Sequence, residues 1–114
     1  LIVGDETILG DYTRFSSTAK IEIGSWVGIA ESCSIRGSGH HIARNEKFMK
    51  QGSDGVEISV GDDVLIGTHS QVLMGAIIPN GAVIGALSLV TQREKLHSYG
   101  IFAGSPVKHI RDRE

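Results

Sequence analysis

A period of six residues constrains the fold of this chain more than any other feature of its sequence. An aliphatic or aromatic anchor residue recurs at every sixth position in three runs: Val3, Leu9, Phe15 and Ile21, then Ile23, Ile29 and Ile35, then Val60, Ile66, Val72, Ile78, Ile84 and Val90. Four residues after an anchor stands a smaller residue: Thr7, Thr13, Ala19, Val27, Cys33, Val64, Ser70, Ala76, Ala82 or Ser88. Helices place apolar residues three and four apart and strands alternate them, so neither explains the pattern.

A three-sided solenoid explains a period of six. Each hexad supplies a short strand and a corner, three hexads complete one coil, and the anchors stack inside. Gly and Asp, which favour turns, often follow an anchor, as at Gly61 and Asp62. We therefore predict an all-β fold of parallel strands in one domain, residues 1–114. An excursion loop at about 36–59, which Phe48 and Met49 suggest is docked, and a C-terminal extension at about 96–114 leave the repeat.

Charge and hydropathy exclude several classes of partner. Lys and Arg number 11 against 13 Asp and Glu, a formal net charge of -2 that gives no general attraction for nucleic acid. No apolar run approaches the length that crosses a bilayer, and no signal segment opens the chain, so we expect no membrane insertion and a cytoplasmic location. The single cysteine, Cys33, lies in the apolar repeat, which predicts a small buried side chain in a reducing compartment.

Four motifs resemble those of the hexapeptide-repeat acyltransferases, and more narrowly the galactoside, maltose and polysaccharide O-acetyltransferases. They are Ile-Gly-Thr at 66–68, Ile-Pro-Asn-Gly-Ala-Val-Ile-Gly-Ala at 78–86, Val-Thr at 90–91 and Ala-Gly-Ser-Pro-Val-Lys at 103–108. The similarity covers nearly the whole chain. It implies a left-handed parallel β-helix, a homotrimer with active sites between subunits, and acetyl transfer from acetyl-CoA to a hydroxyl of a sugar or polysaccharide precursor. The repeat alone does not fix the hand of the coil.

The same resemblance assigns the catalytic group. His40, at the start of the excursion loop, matches the family's catalytic histidine. A sugar hydroxyl is a poor nucleophile, so a neutral imidazole must take its proton as the oxygen attacks the thioester carbon. A backbone N–H then stabilises the resulting oxyanion, and the resemblance implies the Thr68 amide. It places Ser16 and His41 at the acceptor. A loop shift of one residue would exchange the roles of His40 and His41, and Asp54, Glu57 or a backbone carbonyl could orient the base.

The acetyl-CoA contacts also follow from the resemblance. Thr68, Ala86 and Thr91 are implied along the groove for the pantetheine arm, mostly through backbone groups. Lys108 and Arg111 match basic positions that meet the phosphates of CoA, for which charge-assisted hydrogen bonds are well suited.

Three other functions stay open on the residues alone. An N-acetyltransferase of an amino sugar would use the same base. A noncatalytic β-helix assembly module would need only the hexads. A zinc-dependent carbonic anhydrase of this fold needs three converging histidines, but the five here do not match its spacing: His40, His41, His69, His97 and His109. We predict no metal site.

Overall fold

The computed structural model describes residues 1–114 as an all-β chain whose short strands form three parallel sheets. Sheet 1 contains β1 (Ile2–Val3), β4 (Ile21–Ile23), β9 (Ile58–Val60) and β12 (Ile77–Ile78). Sheet 2 contains β2 (Ile8–Leu9), β5 (Gly28–Ile29), β10 (Leu65–Ile66), β13 (Val83–Ile84), β15 (Gly100–Gly104) and the antiparallel β16 (Val107–Asp112). Sheet 3 contains β3 (Arg14–Ser16), β6 (Ser34–Arg36), β11 (Gln71–Leu73) and β14 (Leu89–Val90).

From β1 to β14, apart from the excursion between β6 and β9, the chain visits the three sheets in turn and returns to each one coil later. Within a sheet, each strand pairs in parallel with the equivalent strand of the adjacent coil, as β5 does with β2 and β10. This is the three-sided winding that the hexads predict. The hand of the coil stays a prediction. No helix is long and apolar enough to cross a membrane.

The anchor side chains form the core, as predicted. From Ile21 onward every anchor is buried, and Ile35, Ile66, Val72 and Ile84 have no exposed surface. In the first coil the anchors Val3 and Leu9 are 38% and 39% exposed. Stacked, buried aliphatic side chains supply the main free energy of folding, at roughly 25 cal/mol per Å² of apolar surface removed from water.

The small second inward positions also carry hydrogen bonds. The hydroxyl or thiol there donates to a carbonyl that follows an anchor of the adjacent coil: Thr7 to Gly24, Thr13 to Ala30, Cys33 to Gly67 and Ser70 to Gly85. Since a buried polar group costs free energy unless it is paired, these bonds explain how polar atoms are tolerated inside. No buried side-chain nitrogen or oxygen lacks a partner.

Left-handed backbone builds the corners. Eight non-glycine residues have positive φ: Glu6, Tyr12, Trp26, Ser32, Asp63, His69, Leu87 and Tyr99. From Trp26 onward each of them donates its backbone N–H to a corner carbonyl of the preceding coil, as His69 does to Glu31 and Leu87 does to Thr68. The coils are thus joined at their corners as well as along their strands.

The excursion contains a hairpin. Arg36 still belongs to β6 and Ile58 already begins β9, so the departure runs over 37–57 rather than 36–59. Its base is the antiparallel pair β7 (Ser38–His40) and β8 (Ser53–Gly55), and a single 3-10 turn lies at Phe48–Lys50.

Two local features hold the excursion in place. A Cβ at Gly55 would lie 2.6 Å from Thr18 Oγ1, so the hairpin packs directly on the corner below it. The Gln51 amide donates to the carbonyls of Ala43 and Glu46, both at 2.8 Å. By contrast, Phe48 and Met49 are 54% and 82% exposed, so they do not dock the loop against the coil.

The C-terminal extension continues the coil and then folds back. The parallel pairing of β15 with β13 extends sheet 2, and β16 returns antiparallel along β15. The Arg113 guanidinium lies 3.1 Å from the Asp63 carboxylate, donates to the Gly81 carbonyl at 3.0 Å and lies over the Tyr99 ring. The hairpin is therefore fastened to a corner of the coil.

Candidate functional site

The excursion hairpin brings His40 to the outer face of sheet 3. Its imidazole lines an open pocket of about 240 Å³ whose other walls are Arg36, Ser38, Gly39, Gln71, Leu73 and Met74. The ring packs edge-on against Phe48, with centroids 5.9 Å apart. No group of the chain forms a hydrogen bond with the His40 ring nitrogens, so the imidazole is open to an incoming ligand.

The two adjacent histidines face opposite ways. Neighbouring residues of an extended strand point to opposite faces, and Gly39 rather than His40 pairs with Asp54. The His41 Nε2 accordingly lies 3.0 Å from the Asp54 carboxylate. Asp54, one of the two acidic residues that could orient His40, thus contacts His41 instead. The carboxylate of the other, Glu57, lies 4.0 Å from the Lys20 Nζ.

A second pocket continues from the first along sheet 3. It has a volume of about 280 Å³, shares Gln71 with the His40 pocket, and is otherwise lined by His69, Leu87, Ser88, Leu89 and Ser105. Together they form a groove that runs from His40 to the corner between sheets 2 and 3. The largest pocket, about 370 Å³, contains none of the predicted site residues and is lined by Gly75, Ile77, Gln92, Glu94, Lys95 and Leu96.

Thr68 and Ala86 are equivalent positions of two stacked coils at that corner. Each directly precedes a residue of the second pocket, His69 and Leu87. The Thr68 hydroxyl donates to the Glu31 carbonyl at 2.9 Å, whereas its backbone N–H donates to no acceptor within the chain. An unpaired amide on the residue before His69 of the second pocket has the chemistry that an oxyanion site requires.

Thr91 lies at a different corner, and its polar donors are already used. The Glu94 carboxylate accepts from the Thr91 amide at 2.7 Å and from its hydroxyl at 2.8 Å. A cofactor contact by Thr91 would therefore depend on its carbonyl or on van der Waals contact. Such a role remains a prediction.

The remaining predicted residues lie at the two ends of the molecule. Ser16 is exposed at the end of β3, where it pairs with Arg36 of the His40 pocket. Lys108 and Arg111 are exposed on β16, paired with Ala103 and Ile101 of sheet 2. The groove of one chain does not include these two basic residues. That Lys108 and Arg111 contact the same ligand as His40 therefore stays a prediction.

Sequence reasoning missed three residues of the His40 pocket. Arg36 and Gln71 flank the anchors Ile35 and Val72, and Met74 follows Leu73 at the end of β11. Because side chains alternate along a strand, the position beside an inward anchor faces outward, and the hexad register could have placed Arg36 and Gln71 on the surface. Their meeting with His40 depends on the path of the excursion, which has no repeat.

No family model matches the chain. Part of it is similar to the chloramphenicol acetyltransferase of Morganella morganii, 42% identical over 57 residues that make up 50% of this chain and 26% of that protein. A putative acetyltransferase of Staphylococcus aureus strain MRSA252 is 42% identical over 72 residues, 63% of this chain and 32% of that protein. The chain thus spans about a third or less of the length of these relatives.

Solved structures share the fold. A point mutant of AntD, an N-acyltransferase from Bacillus cereus in complex with dTDP and coenzyme A, matches with a TM-score of 0.81 and 21% identity over 95% of this chain and 61% of that chain. The maltose O-acetyltransferase of Clostridium difficile 630 matches with a TM-score of 0.77 and 24% identity, over 100% of this chain and 67% of that chain. The polySia-specific acetyltransferase NeuO matches with a TM-score of 0.82 and 24% identity, over 97% of this chain and 51% of that chain. These relatives and neighbours are all acetyl- or acyltransferases, which supports an enzyme that transfers acyl groups.

Proposed function

We propose that the chain is part of an acetyl-CoA-dependent O-acetyltransferase that modifies a hydroxyl of a sugar or polysaccharide precursor, with His40 as general base. The observation that carries this proposal is the imidazole of His40, free of intrachain hydrogen bonds, in one of two pockets that share Gln71. The unpaired amide of Thr68, the residue before His69 of the second pocket, supports it. The similarity to acetyltransferases supplies the reaction class.

The proposed reaction has one base and one leaving group. The neutral imidazole of His40 takes the proton of the acceptor hydroxyl while the oxygen attacks the carbonyl carbon of the acetyl thioester. The Thr68 N–H donates to the tetrahedral oxyanion. When the carbon–sulfur bond breaks, the CoA sulfur takes the proton from the imidazolium, which leaves an acetyl ester and the free thiol of CoA. We propose a homotrimer in which a neighbouring subunit completes the site.

The test is the His40→Ala variant in an acceptor screen with acetyl-CoA, followed by release of free thiol. Loss of a general base costs about 10² to 10⁴ in kcat. We expect a loss in that range with the oligomeric state and CoA affinity unchanged. The His41→Ala variant is the matched control. Near-normal turnover by His40→Ala together with loss in His41→Ala would assign the base to the histidine that Asp54 orients.

The acyl donor is tested separately from the chemistry. Charge reversal in Arg111→Glu should weaken CoA binding, measured by calorimetry, because a carboxylate would repel the phosphates. Arg14→Glu is the control, since Arg14 is an exposed arginine on β3 of the first coil. Equal CoA affinity in both variants would exclude Arg111 from the cofactor site.

Transfer to an amine is the second candidate. The AntD neighbour is an N-acyltransferase, and an amine acceptor must also lose a proton, so His40 would serve either reaction. Amino sugars and sugar alcohols in the same screen separate the two candidates. If no acceptor is acetylated and CoA does not bind, the noncatalytic assembly module becomes the better description.

A further inference from the structure

A cluster of three polar side chains lies at the opposite end of the coil from the first strand. The Nε2 atoms of His97 and His109 lie 2.7 Å and 2.8 Å from the same carboxylate oxygen, Oδ1 of Asp112. The ligand atoms of all three residues lie within 4.8 Å of one another, and all three residues are exposed. The proposed acyl transfer uses none of them.

A β-bulge brings the cluster together. Residues three apart on a regular strand face opposite sides, so His109 and Asp112 would normally diverge. In β16, however, His109 pairs with Phe102 and Arg111 pairs with Ile101, which leaves Ile110 as an extra residue without a partner. Cross-strand partners share a face, so His109 and Asp112 point to the side of Phe102 and Gly100. An inserted residue that redirects side chains is a common use of bulges.

The third member comes from the segment before β15. The His97 ring packs on Phe102 with centroids 5.3 Å apart and on the His109 ring at 4.7 Å, while Phe102 and His109 are 5.5 Å apart. Phe102 is itself a core residue, only 3% exposed. The two imidazoles therefore pack against a buried aromatic side chain and against each other.

We infer that His97, His109 and Asp112 form a binding site for a divalent transition-metal ion of the zinc type. Two imidazole nitrogens and one carboxylate oxygen are a ligand set that zinc accepts, with water in the fourth position. Tetrahedral bonds of about 2.0–2.1 Å put ligand atoms about 3.3 Å apart. The distance from each histidine Nε2 to the Asp112 Oδ1 would have to widen by roughly half an ångström to reach this geometry. Rotation of the exposed side chains can supply a change of that size.

The charge of the cluster favours a cation. The Asp112 carboxylate supplies a negatively charged oxygen ligand beside the two imidazole nitrogens. Lys108 and Arg111 pair with Ala103 and Ile101 on the other face of the hairpin, and the Arg111 guanidinium donates to the main-chain carbonyl of Asp112 at 3.1 Å rather than to its carboxylate. A bound ion would join residue 97 to the strand that contains these two basic residues.

The test is titration of the metal-free chain, with any affinity tag removed, by zinc alone in a calorimeter. We expect one ion per chain. Removal of outer contacts to metal ligands already costs 10 to 100-fold in affinity, so His97→Ala, His109→Ala and Asp112→Asn should each weaken binding by at least about tenfold. Circular dichroism of each variant checks that it is folded.

His41→Ala is the matched control, because His41 contacts the Asp54 carboxylate but has no third ligand nearby. It should bind zinc like the wild type. The melting temperature should rise with zinc in the wild type, fall back with a chelator, and not respond in Asp112→Asn. Absence of stoichiometric binding at about 100 μM zinc, or equal affinity in wild type and His109→Ala, would overturn the site; neither result depends on acetyl transfer.

Discussion

At the scale of single residues, the second inward position of each hexad has a role that the repeat does not predict. The sequence predicts that this position is small. The structure adds that its hydroxyl or thiol donates to a carbonyl of the next coil, as Cys33 does to Gly67 at 3.2 Å. The same position accepts Val64, Ala76 and Ala82, which are also buried and have no polar group to satisfy.

Cys33 should be unreactive in the folded chain. Its side chain is 1% exposed, and burial raises the pKa of the thiol above the usual 9.0. Only the thiolate reacts with Ellman's reagent, so at pH 8 we expect slow reaction that becomes rapid in urea. The pKa of the Cys33 thiol is higher in the folded chain than in the unfolded chain. The stability that this difference contributes is therefore complete at pH values below the pKa of the unfolded chain, and it is lost as the pH rises through the pKa of the folded chain.

The Cys33→Ser variant provides the control for that pH dependence. It removes the titrating thiol while it keeps a donor for the Gly67 carbonyl. Between pH 7.5 and pH 9.5 the free energy of unfolding of the wild type should fall relative to this variant, measured by urea denaturation. A rate of thiol modification that is equal in buffer and in urea would contradict the buried thiol.

At the scale of elements, the corners carry a conformational requirement that the hexad pattern does not display. Leu87 has φ 56, in the left-handed region that glycine prefers, and its side chain is 73% exposed. Sequence motifs of the corner contain Gly and Asp, but many corners here contain larger residues such as Trp26 and Tyr99. The N–H of each one bonds to the coil below, which stabilises the turn despite the side chain.

Replacement of Leu87 by glycine should stabilise the protein. The left-handed conformation costs an ordinary residue roughly 1–2 kcal/mol, and glycine avoids most of this. After allowance for the more flexible unfolded chain, we expect the free energy of unfolding to rise by up to about 1 kcal/mol. Urea denaturation measures the change.

Leu89→Gly is the matched control, two residues further on in β14 and half-buried. A glycine within a strand loses side-chain packing and backbone order, so stability should fall by about 1 kcal/mol or more. A loss of stability of similar size in Leu87→Gly would show that the corner side chain contributes contacts that outweigh its strain.

The strands of the coil could be predicted from the sequence, but the two irregular elements could not. Each anchor from Ile21 to Val90 lies in a strand of the coil, because a period of six directly encodes the repeated packing. The excursion hairpin depends on the close approach of Gly55 to Thr18, and the β16 bulge depends on the pairing of two strands. Neither depends on a local pattern. His40 itself was reachable only through the family resemblance, and its pocket required the hairpin.

At the scale of the whole molecule, the three outer faces differ in polarity. In register, the outward residues of the five parallel strands of sheet 2 are apolar or glycine: Ile8, Gly28, Leu65, Val83 and Ile101. The antiparallel β16 adds Arg111 at the end of this column. The equivalent column of sheet 3 is more polar, with Arg14, Ser34, Gln71 and Leu89. A continuous exposed apolar face is typical of a protein interface, and a threefold assembly would close such contacts into a ring.

A charge in the centre of this face should break the proposed trimer. Leu65 is 49% exposed in the single chain, so Leu65→Arg should fold normally but place an unpaired charge in the interface. Light scattering with size-exclusion chromatography should show monomers. Ile77→Arg, on sheet 1 at 65% exposure, should leave the assembly intact. Trimers of Leu65→Arg would place the interface on another face.

The unpaired Ile110 decides which side chains of the last strand face the two imidazoles. If the strand ran straight with Ile110 in register, Ile110 would pair with Ile101 and Arg111 with Gly100. Arg111 would then face His97 and His109, and Asp112 would turn to the other side of the strand. The irregular pairing at one residue therefore sets which charge meets the histidines, and a straight strand of the same sequence would replace a cation site by a cluster that repels cations.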